Sequence, residues 1–469
     1  MAEAVQLLNP EDGVLDYAES MFHKPPVDLR YKRITFQRFD CMNSIKNAKN
    51  FSFYLPPWKS RTYYQLHKTI VVLKLALVTD EGNAIKKNQR VAFCNNILDS
   101  IMSSVKIWLN DKAIVNNADD YNYKRYFEIM LTDDWSRKHS ILQSQGYFPD
   151  TAPYFESDVD SNSGFVKRMD QHSTITGADR VYSADPVTYV GLLGCDLRDD
   201  ILNGVSVKIN FKFTNSEFTI FTLDDAIEKP KYVVDSFYLL VPCCEMEDST
   251  SMAIERSLEK KPYTMFFNRG EALINSIPMG AQMFFSDTLF NNSSQLPSKI
   301  TVGFVPTNAF QGAYSLNPYF FRQEFKSGIK ITSQELFLNG SSIDGMTDHD
   351  FKLDFYKNYL YGNYLDTGST CSINLTEFLN GVYLVTYDLS TSAGSSPSGH
   401  IAPGIRVGNC RYVELLFCNN NLLIEKFFRC QVQFSDPVRE NVTMVIYCQY
   451  PSLVEINKDR KVVTSYVSS

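Results

Sequence analysis

The stretch VSVKINFKF, residues 205–213, decides the fold class. Val205, Val207, Ile209, Phe211 and Phe213 alternate with Ser206, Lys208, Asn210 and Lys212. Successive side chains of a strand point to opposite faces, so this strict alternation specifies a strand buried on one face and wet on the other. The five apolar residues are expected core. Further strands are expected at Phe51–Leu55, Gln65–Val78, Val233–Val241, Lys299–Val305, Gly381–Asp388, Tyr412–Phe417, Phe427–Phe434 and Thr443–Gln449. Their β-branched and aromatic residues suit a pleated, half-buried surface. Polar stretches separate them, among them SDVDSNSG at 157–164 and STSAGSSPSG at 390–399. The second is expected to be an exposed, mobile loop. Helical patterns are few. One covers residues 11–22, before Pro25-Pro26; another covers 249–261, where Lys260 and Lys261 suit a helix C-terminus and Pro262 stops it. The second is expected to connect two domains.

Composition sets the limits. The 469 residues suit about three ordinary domains or, equally well, two all-β domains, and 33 Phe with 27 Tyr supply ample core. The formal net charge of −7 argues against a dedicated nucleic-acid binder, whose affinity comes from cations neutralising phosphates. The longest basic run, residues 458–461, reads as part of a solvated tail. The most apolar run, Thr69–Val78, is interrupted by Lys74 and is far shorter than the ~20 residues of a membrane span, so no transmembrane segment is expected. The opening MAEAVQLLNPED shows no secretion-signal pattern, and the ten cysteines, with no CxxC, are expected to be buried thiols.

An internal repeat organises the chain. SSVKIWLND (103–111) and DYNYKRYFEIML (120–131) return as SGIKITSQELFLNG (327–340) and DFKLDFYKNYL (350–360), at offsets of 224 to 230 residues. Each unit reads as strand, turn, loop and an Asp-capped aromatic helix. Tyr123, Tyr126 and Phe127 mark the apolar face of the first helix; Phe351, Phe355 and Tyr356 are their counterparts in the second. Related strand pairs close each half, at 207–221 and 430–447.

Chemical motifs are lacking. The six histidines form no zinc pattern, Gly394–Gly399 lacks the spacing of a nucleophile elbow, and no phosphate-binding glycine loop occurs. The pairs Asp119-Asp120, Asp133-Asp134 and Asp199-Asp200 are neighbours, whereas a glycosidase needs two carboxylates facing across a cleft. No catalytic residue, cofactor or metal is expected. The run Tyr319-Phe320-Phe321 reads as core or as an interface anchor. The first 30 residues read as an arm, either a flexible tail or a docking segment, with Leu15, Tyr17, Met21 and Phe22 as its candidate contacts.

The chain resembles the double jelly-roll major capsid proteins, in particular those of Polinton/Maverick elements and the related adintoviruses. The residues carrying the resemblance are FSFYLPPWKSRTYYQLHKTIVVLKLALVTDEG (51–82), FCNNILDSIMSSVKIWLND (93–111), VGLLGCDLRDDILNGVSVKINFKF (190–213), FYLLVPCCEM (237–246) and AYSLNPYFFRQEFKSGIKI (313–331). The resemblance implies an all-β fold of two tandem eight-stranded jelly rolls with short helices in loops. It divides the chain into an arm (1–30), a first jelly roll (31–244), a linker helix (245–262), a second jelly roll (263–455) and a tail (456–469). It further implies a homotrimer forming a pseudo-hexagonal capsomer, contacts with neighbouring capsomers, a single jelly-roll penton protein as partner, and a place in an icosahedral virion shell without enzymatic activity. A β-sandwich carbohydrate-binding or carbohydrate-active protein is the alternative; the presence of only three Trp (58, 108 and 135) makes it less attractive. A cellular scaffold descended from an integrated element shares every sequence feature of the capsid reading.

Overall fold

The computed structural model describes residues 31–464 apart from 46–47, 59–60, 118–119, 157–159, 225–228, 287–296, 339–340, 343–349, 362–372 and 390–427. The principal strands of the first half are β1 (Tyr31–Asp40), β2 (Asn50–Leu55), β3 (Ile70–Val78), β4 (Met102–Leu109), β5 (Lys112–Asn117), β6 (Val187–Leu192), β7 (Val207–Phe213) and β8 (Lys231–Met246). They pair antiparallel in two sheets, ordered β1-β8-β3-β6 and β2-β7-β4-β5.

The alternating segment is the centre of this arrangement. Ile209 of β7 lies between Phe53 and Ile107, and Phe211 between Phe51 and Val105. The inward rings of Phe51, Phe53, Phe211 and Phe213 converge on Phe237 of β8 in the facing sheet, at centroid distances of 5.3, 5.0, 5.2 and 5.4 Å. Such edge-to-face and tilted packing fills the space between two sheets with defined geometry.

The second half repeats the order. Its strands are β9 (Tyr263–Ile277), β10 (Met283–Phe285), β11 (Lys299–Pro306), β12 (Ile329–Leu338), β13 (Ser341–Ser342), β14 (Leu384–Asp388), β15 (Phe428–Phe434) and β16 (Val442–Ile456). They pair as β9-β16-β11-β14 and β10-β15-β12-β13, strand for strand the same order as the first half. Two four-stranded antiparallel sheets in this order are a jelly roll, and the chain holds two. Three helices matter below: α1 (Tyr121–Thr132), α2 (Asp248–Leu258) and α3 (Phe351–Tyr361). α1 lies between β5 and β6, α3 at the corresponding point between β13 and β14, and α2 between the two halves.

Some local expectations change. The strand expected over Gln65–Val78 begins only at Ile70, after a 3-10 turn at Leu66–Lys68; ahead of that turn, Thr62–Tyr64 pairs with β8. The expected loop 157–164 ends in a helix, Ser163–Asp170, because Asn162 accepts the Phe165 N–H and caps it. The strand expected from Gly381 begins at Leu384. The tail expected after residue 455 is structured to Thr464: β16 runs to Ile456, turns, and pairs with Val462–Thr464. The basic run at 458–461 is that turn. Arg460, at φ 61°, donates to Asn203 and pairs with Glu255 of α2. Val454, Ile456 and Val462 pack into the core of the first half. The expected helix 11–22, loop 390–399 and strand Tyr412–Phe417 lie outside the described residues.

Candidate assembly surfaces

The two jelly rolls meet through α1. One side of this helix belongs to its own half: Tyr121 joins the first core, Lys124 donates to Asp196 at 2.8 Å, and Arg125 pairs with Glu128 at 2.6 Å and approaches Asp99 at 3.7 Å. The other side lies on the second half. Tyr126 stacks on Tyr319 at 4.0 Å with the ring planes 7° apart. Tyr123 donates to the Pro318 carbonyl, and Phe127 lies 5.1 Å from Phe321 and 5.9 Å from Tyr447. Tyr319 and Phe321 are thus anchors beneath a helix from the other half.

Two glycines permit the approach. Ile446 and Cys448 of β16 point into the second core, while Tyr447 between them faces α1. On neighbouring strands a Cβ at Gly270 would stand 2.7 Å from Lys124 Cε, and one at Gly303 would stand 3.2 Å from Phe127 Cζ. α1 therefore lies on the outer face of the β9-β16-β11-β14 sheet. The Tyr447 hydroxyl donates to Glu128 at 3.2 Å, extending the charge cluster across the junction.

The cluster is buried, and its partners set its protonation. Burial would lower the pKa of the Lys124 ammonium, but Asp196 and Glu128 outweigh this and raise it above the ordinary lysine value. Burial pushes the Asp196 and Asp99 carboxyls up, with Lys124 and Arg125 respectively opposing. Glu128, also burdened by burial, is held below its ordinary value by Lys124 and Arg125. Removing one member of such a group leaves an uncompensated buried charge. A second polar bridge crosses the junction: Asp150 accepts from Arg168 (2.7 Å), Asn162 (2.9 Å) and Asn317 (3.2 Å), and Glu156 accepts from the Asn317 N–H and pairs with Arg322.

The expected site residues fall into three groups. Val205, Val207, Ile209, Phe211 and Phe213 are at most 2% exposed. Tyr123, Tyr126 and Phe127 are buried between the halves, whereas Phe351 and Phe355 are half-buried against the second core and Tyr356 is 54% exposed. Leu15, Tyr17, Met21 and Phe22 lie outside the described residues. Sequence reasoning missed Lys124, Glu128, Asp196, Gly270 and Gly303. A Lys-Glu pair four residues apart on a helix ordinarily marks a wet face.

Among the described residues, the outer face of the β1-β8-β3-β6 sheet exposes apolar side chains. In the first half, Leu240 pairs with Arg38 and Ile70, and Ile70 with Leu192; these side chains point away from the core, which receives the intervening Leu239, Val71 and Tyr189. On this outer face Ile34 is 48%, Phe36 56% and Leu192 41% exposed. Among the described residues, an open depression near Met279, Ser327, Asp436 and Arg439 presents one carboxylate, Asp436, where a glycosidase needs two. No three His, Cys, Asp or Glu side chains among the described residues converge as metal ligands, and no described helix is long and apolar enough to cross a membrane.

This topology and this junction define the class: a double jelly-roll protein. No protein-family model matches the chain. An uncharacterized protein of Caenorhabditis elegans is 26% identical over 346 residues, covering 70% of this chain and 76% of that protein. A chain of the Sputnik virophage superposes with a TM-score of 0.64 at 12% identity, covering 95% of this chain and 91% of its own. The mavirus major capsid protein superposes with a TM-score of 0.53 at 9% identity, covering 95% of this chain and 92% of its own. At such identities the likeness is one of fold.

Proposed function

We propose that the chain is a structural major capsid protein whose copies associate as trimers, each trimer a pseudo-hexagonal capsomer of an icosahedral shell. The observation that carries this reading is the repetition of one jelly-roll topology twice in a chain, with the two copies docked through a buried helix. Three such chains supply six similar blocks, so a single protein can tile hexagonally. The fold likeness to a virophage chain and to the mavirus major capsid protein supports the same reading.

On this reading residues 31–244 and 263–455 are the two shell-forming domains, joined by 245–262, and the arm at 1–30 docks on neighbouring copies. The lineage is that of Polinton/Maverick elements; a relative in an animal accords with an integrated element. A single jelly-roll penton protein is the partner at fivefold vertices, and the virion is the place of action. The test is the native mass of the purified chain, with imaging of the same species. The expected result is a particle near three times 53.6 kDa with a hexagonal outline. A monomer at every concentration overturns the reading.

A further inference from the structure

We infer that Lys124 and Asp196 join through their side chains in an amide cross-link, with Glu128 as the proton carrier. The reacting groups already touch. Lys124 Nζ lies 2.8 Å from Asp196 Oδ2 and 3.3 Å from Glu128 Oε1, and the lysine is 1% exposed. In water an amine and a carboxylic acid do not condense, because both are charged and the product water is in excess. Burial favours the neutral forms and excludes water, so it weakens both obstacles.

The surroundings hold the pair in contact. A Cβ at Gly194, just before Asp196 in the chain, would stand 2.5 Å from Arg125 Cδ and from the Tyr121 hydroxyl. A Cβ at Gly270 of β9 would stand 2.7 Å from Lys124 Cε and 2.9 Å from Glu128 Oε1. The segment at 194–196 and strand β9 therefore both close directly on α1. The Tyr447 hydroxyl, donating to Glu128 Oε1 at 3.2 Å, fixes the carboxylate beside the amine. Groups fixed in this way react as if at a concentration far above any reached in solution. The Asp196 side chain is 17% exposed, which leaves the released water a way out.

The step balances from the ion pair. One proton passes from Lys124 Nζ to Asp196 Oδ2 along their hydrogen bond, leaving a neutral amine and a neutral acid. Burial, and then the neighbouring Glu128 carboxylate, favour that acid form of Asp196. The Nζ lone pair attacks Cγ. Glu128 takes a second proton from the nitrogen and delivers it to Oδ2. The Cγ–N bond forms, the Cγ–Oδ2 bond breaks, and Oδ2 leaves as water. The amide nitrogen keeps one hydrogen, Glu128 ends as it began, and nothing is oxidised or reduced. The bond fastens α1, the helix on which the second half sits, to the segment that follows β6 in its own half.

The experiment measures the mass of the purified full chain and of its tryptic peptides. The wild type is expected one water below its sequence mass, with a branched peptide joining Lys124 to Asp196. Lys124→Arg keeps the charge and is expected at its full sequence mass. It is also expected to melt at a lower temperature, because the cross-link no longer restricts the unfolded chain between 124 and 196. Asp196→Asn is expected to lose ammonia in place of water. After refolding, Glu128→Gln is expected to form the bond ~100-fold more slowly. A wild type at full sequence mass, with Lys124 and Asp196 in separate peptides, overturns the inference and requires no variant to fold. A water loss that persists in Lys124→Arg overturns the assignment of the amine. Bonding at the wild-type rate in Glu128→Gln overturns the role of Glu128.

Discussion

His172 shows how far one side chain departs from its free chemistry. It is 2% exposed, its Nε2 lies 2.7 Å from the Tyr189 hydroxyl, and its ring packs 5.0 Å from Phe93. Burial lowers its pKa to about 4. The unfolded chain takes up this proton near pH ~6.5 and the folded chain does not, so the stabilisation is full above that pH and is lost as pH falls toward 4. The difference corresponds to about 3 kcal/mol. Melting temperature followed from pH 7 to 4 should therefore drop less steeply in His172→Gln than in the wild type; parallel curves would show that another group carries the acid sensitivity. Nothing in the sequence singled out this histidine. Phe211, by contrast, was legible at once, because a period of two leaves an apolar residue no face but the inner one.

At the scale of the element, α1 and its glycines carry the argument. A methyl at Gly303 would stand 2.7 Å from both Leu384 Cδ2 and Phe321 Cδ1, in a junction with no spare room. Gly303→Ala is expected to cost roughly 1–3 kcal/mol by overpacking. Urea unfolding would measure it, and an unchanged midpoint would mean that the two halves sit less tightly than the distances state. The repeated strand-turn-helix unit was readable because its turn and cap residues act locally. The destination of the helix was not readable. The aromatic face of α1 meets residues about 195 positions away, as Tyr123 and Pro318 do, and no local pattern encodes that separation. The turn at Leu66–Lys68 was missed because no Gly or Pro marks it. The turn at Arg460 was hidden by its charges, which suggest solvent, while its guanidinium is held between Asn203 and Glu255.

At the scale of the molecule, the two halves form one structure with a shared junction, while the arm at 1–30 lies outside the described residues. If the chain builds shells as proposed and the arm docks on neighbouring copies, deleting residues 1–25 is expected to leave thermal unfolding unchanged and to reduce the yield of particles, measured by sedimentation. Shells formed at full yield would exclude the arm from assembly.

The hairpin of β16 and Val462–Thr464 bears on how the protein is made. Val454, Ile456 and Val462 complete a core otherwise built largely from residues before 260. The earlier half cannot finish folding on the ribosome until these late residues have been synthesised. A product truncated before residue 454 would present an unfilled core to the cell's proteases, so full-length chains are expected to outlast truncated ones.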